Sequence, residues 1–224
     1  MKAITTSNLR RIAQLFALFL LGLSQKPAIA QNPLDEIKST FTVFDSAATN
    51  NQRAPLAAKF KLIAAQNPND WLANYYAAYS IASLSFEEKD KQRQEAMLDD
   101  ADSYFKRIES MASTNEEVSI LGALLASARI TARPSTYKKN GEIRDKFLAT
   151  ATNLNPNNPR IYYLQGNALF YTPKMFGGGA KKALPFFEKA AGLFANQDKT
   201  DVAKPYWGMQ NNNYMLGLCK QQIK

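Results

Sequence analysis

The sequence predicts an all-α protein, an α-α superhelix of about four helical hairpins with a C-terminal capping helix. Three observations carry this. Apolar residues recur at spacings of three and four almost from end to end. No stretch alternates apolar and polar residues long enough to make a half-buried strand. The pair Asn-Pro stands twice between periodic segments, as Asn67-Pro68 and Asn155-Pro156, at an offset of 88 residues. Proline just past a helix end cannot continue it.

Before the helices comes a leader. Lys2, Arg10 and Arg11 form a basic head, Ile12 to Leu23 is almost wholly apolar, and Ala28-Ile29-Ala30 is a small-x-small cleavage pattern. This reads as a secretory signal peptide over residues 1–30, leaving residues 31–224 as one helical domain. The apolar core is shorter than the ~20 residues a spanning helix needs, so no membrane insertion is expected after cleavage. The expected location is the periplasm, with secretion as the alternative. The full chain carries a net charge of +9, and removing the leader's four cations leaves +5. Spread over such a domain, that is no nucleic-acid footprint. Cys219, the one cysteine, excludes an internal disulfide, and its apolar surroundings predict a buried, inert thiol.

The helical stripes run in order. Leu34, Ile37, Phe41 and Phe44 mark the first; Leu56, Phe60 and Ile63 the second; Leu72, Tyr75, Tyr76 and Tyr79 the third. Met97, Ala101, Tyr104, Phe105, Ile108 and Met111 mark the next, then Val118, Leu121, Leu125 and Ala128. Ile143, Phe147, Thr150, Ala151 and Leu154 form the sixth; Ile161, Leu164 and Ala168 precede Ala183, Phe187, Ala190 and Phe194. Trp207, Asn211, Tyr214 and Leu218 close the chain, in a capping helix expected over about residues 203–223. Asp70 and Asn158 are predicted N-caps, the latter with Pro159 at the first helical position. Ser113 and Thr114, each three residues before a Glu, predict overlapping capping boxes. Asn140-Gly141 reads as a turn, and Pro55 and Pro185 are expected within the first turns of their helices.

Aligned on the two Asn-Pro pairs, Tyr75 falls on Tyr163, Ala78 on Gly166 and Ile81 on Leu169, with Gly122 in the corresponding place between them. Tyr162, Gly166 and Leu169 give the large-small-large pattern of a first helix; Ala183, Phe187 and Ala190 give the small-large-small pattern of a second. The chain thereby resembles the tetratricopeptide repeat family, and exported bacterial proteins of that helical-repeat kind. The period departs from the family's 34 residues, because two repeats here take 88. The resemblance implies that first helices line a concave groove. Tyr75, Tyr79, Arg160, Tyr163, Asn167 and Phe170 are then the candidate binding residues, since amphipathic aromatics with Arg and Asn suit a peptide or glycan. The family's carboxylate clamp is not implied, because Tyr76, Ile120 and Leu164 occupy its second position.

Residues 177–179 are three glycines ahead of Lys181-Lys182. A P-loop needs Gly-Lys-Ser/Thr after a strand; here Gly179 is followed by Ala180 and the preceding element is helical. The stretch reads as an inter-helix loop whose glycines allow an unusual turn, the alternative being weak anion binding at the following helix N-terminus with its two lysines. The chain has no histidine, which removes the commonest general base and metal ligand. The Asp99-Asp100-Asp102 acids fall off the core stripe. The expectation is therefore a non-catalytic scaffold without cofactor, holding a protein or peptide in its groove. The alternative is a glycan- or small-ligand-binding envelope protein.

Overall fold

A computed structural model describes residues 32–223, so the leader reading over residues 1–30 lies outside the described residues. The described residues form nine α-helices: α1 Pro33–Ser46, α2 Asn50–Gln66, α3 Trp71–Ser85, α4 Lys91–Met111, α5 Glu116–Ala132, α6 Tyr137–Leu154, α7 Pro159–Tyr171, α8 Ala180–Ala195 and α9 Met209–Ile223. Short 3₁₀ turns, Pro134–Thr136 and Lys174–Phe176, lead into α6 and come after α7. There is no strand among the described residues, and no described helix is long and apolar enough to cross a membrane.

Consecutive helices pair as four hairpins, α1 with α2 through α7 with α8, and α9 closes the stack against α8. The first helices, α1, α3, α5 and α7, touch in succession and form an inner row. The second helices pack on that row, each also reaching the first helix of the next hairpin, but their backbones stay apart from one another. This geometry explains the composition of α3 and α5. Covered from several sides, they are buried along nearly their whole length, whereas α4 and α8 bury only one stripe.

Close approach within hairpins depends on the small residues the sequence spaced out. A Cβ on Gly166 would stand 2.8 Å from the Phe187 ring, and one on Gly122 would stand 2.7 Å from Phe147 and 2.8 Å from Phe105. Ala78, in the equivalent place, is fully buried. Asp70 and Asn158 cap as expected, accepting from the Ala73 and Arg160 amides. Cys219 is a buried free thiol whose pKa burial raises.

Several local expectations fail. The start of α5 is capped by Asn115, which accepts from the Glu117 amide at 2.9 Å, not by Ser113 or Thr114. The capping box sits instead at Thr49 and Gln52. Asn140-Gly141 is helical: Pro134 starts a 3₁₀ turn that runs into α6, and Asn140 donates back to Thr136 Oγ1 at 2.8 Å. Pro55 and Pro185 lie one turn deeper than predicted, because α2 begins at Asn50 and α8 at Ala180. Residues 203–208 are not helical. Gly208, at φ 102°, precedes α9, and the buried face of α9 is Asn212, Met215 and Cys219, one step round from the predicted stripe.

Candidate functional site

The predicted groove residues lie on the inner row, but the chain covers them itself. Between α8 and α9, residues 196–208 fold back across the first helices as a strap. Tyr76 donates its hydroxyl to the Val202 carbonyl at 2.9 Å. Trp207 Nε1 donates to Tyr75 Oη at 2.8 Å, and its indole stacks on Tyr79 with centroids 4.9 Å apart. Tyr206 meets Phe41 edge-on at 4.9 Å. Trp207, 2% exposed, thus fills the inner face like a core residue.

Beneath the strap lies a buried polar network. Arg160 is 1% exposed and its guanidinium pairs with Glu117, which also accepts from Asn158 Nδ2 at 2.5 Å and from the Tyr75 hydroxyl at 3.4 Å. The other side of the guanidinium lies 5.4 Å from the Trp207 ring centroid, where cation–π attraction offsets lost hydration. Arg160 Nε and Nη1 have no hydrogen-bond partner in this setting. Burial pushes the Glu117 carboxyl up, against the pull of Arg160 and the Asn158 bond. Charges so withdrawn from water hold only while paired. This is an organising centre for α3, α5, α7 and the strap.

That arrangement encloses most of the predicted site residues. Tyr75, Tyr79, Tyr163 and Arg160 are buried; the Tyr163 hydroxyl lies beside Asn167 and Asn211. Asn167 and Phe170 are partly exposed, and Phe170 packs edge-on against Tyr171 at 5.2 Å. The glycine loop is likewise spent on its own fold. The amides of Gly177, Gly178 and Gly179 donate to the carbonyls of Lys174, Pro173 and Leu169, so none is aimed at an anion. Gly177 and Gly179 have φ of 84° and 95°, and a Cβ on Gly178 would strike the Thr172 carbonyl oxygen at 2.1 Å. The acids Asp99 and Asp102 pair with Arg129 at 2.6 and 2.5 Å.

The open concavity is on the outer side. Because the backbones of α4 and α6 stand apart, a cleft of about 440 Å³ remains between them over α5, within the ~300–1,000 Å³ range of small-molecule sites. Gly122, Leu125 and Ala126 of α5 make its floor; Phe105 of α4 and Ile143 and Phe147 of α6 make its walls. The two phenyl rings meet edge-on at 5.7 Å. Charged side chains ring the mouth. Arg129 is held by Glu95, Asp99 and Asp102, and Arg133 by Glu95 at 3.0 Å. Lys106 and Lys139 form no ion pair among the described residues. Burial raises the pKa of Glu109, beside Asp102, with Lys106 pulling the other way. Sequence reasoning missed this cleft because Ile143, Phe147 and Phe105 sit at core spacing, and periodicity cannot separate a stripe that packs from one that lines a slot.

No cleft-lining side chain is His, Cys, Met or Tyr, and no group of three or more His, Cys, Asp or Glu among the described residues is placed to hold a metal ion. The lining thus joins an apolar floor to a mouth of mixed charge.

No family model and no curated protein matches the chain. The all-helical hairpin stack is present, but membership of the tetratricopeptide family is not confirmed. Among solved structures the chain is similar to the HusA haemophore from Porphyromonas gingivalis, at 33% identity and a TM-score of 0.74, over 88% of this chain and 97% of that one.

Proposed function

The chain belongs to the family of the HusA haemophore, and on that premise we propose that it is a non-catalytic haem carrier that seats its cargo in the cleft between α4 and α6. The observation that carries the reading is 33% identity extending across 97% of the haemophore. The cleft supplies what a porphyrin asks for. Ile143 and Phe147, both partly exposed, offer apolar and aromatic surface to the macrocycle above the buried Phe105 and Leu125, and Lys106 and Lys139 have charge free for its two propionates.

Haem iron is usually held by His, Cys, Met or Tyr, none of which lines the cleft. Recognition then falls on the porphyrin ring, and the iron is carried rather than used. Export, as the leader implies, suits a protein that collects haem outside the inner membrane. A peptide held on the inner face is disfavoured by the strap, which occupies that face through Tyr206 and Trp207. The proposal is a form of the small-ligand alternative, with its site on the outer side.

Absorbance titration with haemin tests the reading. Saturable one-to-one binding is expected, and metal-free protoporphyrin should bind within about tenfold of haemin, about 1.4 kcal/mol. Absence of saturable binding to either compound would end it.

A further inference from the structure

The turn after α7 carries the most exposed large apolar side chains of the described residues: Met175 is 83% exposed, Tyr171 74% and Phe176 71%. Backbone bonds from Gly177, Gly178 and Gly179 hold this turn, and Met175 and Phe176 stand out from it as a tip. The second observation is charge. From Pro159 through Phe187 the chain contains no Asp or Glu, while Lys174, Lys181 and Lys182 flank the tip. The Tyr137 hydroxyl lies 3.2 Å from Thr172 Oγ1, which ties the start of α6 to the base of the turn. None of these three lysines forms an ion pair among the described residues.

We propose that this tip docks the protein on an anionic phospholipid bilayer. Met175 and Phe176 enter the boundary between headgroups and acyl chains, and the lysines meet lipid phosphates. A protein partner would want a broad complementary face of about 800 Å², whereas this feature is a narrow projection. A porphyrin wants broad cover over its ring, which a narrow tip does not give. Docking by one apolar tip and a few lysines is weak and reversible, as suits a carrier that must leave the surface again. The proposal does not depend on what fills the cleft.

Co-sedimentation of the protein with vesicles tests it, comparing phosphatidylcholine alone with an equal mixture of phosphatidylcholine and phosphatidylglycerol. Binding is expected to the mixed vesicles only, and it should weaken as salt screens the lysines. The double variant M175S/F176S should bind about tenfold less, and K181A or K182A each about fivefold less, as loss of one cation near such a surface implies. These side chains are exposed, so circular dichroism should be unchanged. Equal binding to both vesicle types, or a double variant that binds as well as the parent, would overturn the proposal. So would haemin affinity that falls in M175S/F176S, which would assign the tip to the cargo. Haemin titration of the unaltered protein without vesicles reports separately on the cleft.

Discussion

The two sides of the hairpin stack are built from the same residue types to opposite ends. On the inner side, aromatics, an Arg–Glu pair and Asn are packed under the strap until Arg160 and Trp207 are almost entirely hidden. On the outer side, Phe105, Phe147 and Ile143 line a gap that stays open because the backbones of α4 and α6 never close on each other. Aromatic content alone therefore does not mark a binding face. What matters is whether a further segment of the chain covers it.

The sharpest way to break this contrast is Trp207→Ala. It removes a stack, a hydrogen bond and a cation–π contact together, and should cost about 3–5 kcal/mol in urea unfolding, with haemin affinity of the folded fraction changed by less than about twofold, under 0.5 kcal/mol. Glu117→Ala should cost a similar ~3–5 kcal/mol by stranding the buried Arg160 charge. If either variant abolished haemin binding while stability held, the inner face would be the seat after all. Ile143→Glu should do the reverse, lowering haemin affinity about a hundredfold, roughly 2.7 kcal/mol, with stability shifted by no more than about 0.5 kcal/mol because Ile143 is only partly buried. Lys106→Ala and Lys139→Ala should each weaken haemin about fivefold, near 1 kcal/mol, with the loss shrinking at high salt. Last comes Lys61→Ala, which breaks the 2.7 Å pair with Asp100 that links α2 to α4. Exposed on both sides, that pair should be worth about 0.2–1 kcal/mol in unfolding and nothing in haemin titration.

The hairpins were legible in the sequence because their signals are local. Asn67-Pro68 and Asn155-Pro156 end helices where they stand, Asp70 and Asn158 cap the helices after them, and Gly122 and Gly166 mark close approach within one turn of the pattern. The site was not, because its determinants are distant. Trp207 and Tyr75 are 132 residues apart in the chain, and Tyr76 and Val202 are 126 apart. Nothing near Tyr75 announces that an indole will cover it. Periodicity likewise assigns Ile143 and Phe147 to the core, since their spacing is that of α6's buried stripe; only the separation of α4 from α6 leaves them lining a cleft. Asn140-Gly141 shows the local limit: a strong turn dipeptide gives way where a 3₁₀ start at Pro134 and the Thr136 bond continue the helix.

The strap has a mechanical consequence. A row of hairpins that meet only their neighbours bends like a spring and can melt from one end. Here one peptide segment fastens α1, α3 and α7 to a common indole and its tyrosine neighbours, turning the row into a closed clasp. The domain should then melt as one cooperative unit, with its last hairpin unable to leave before its first.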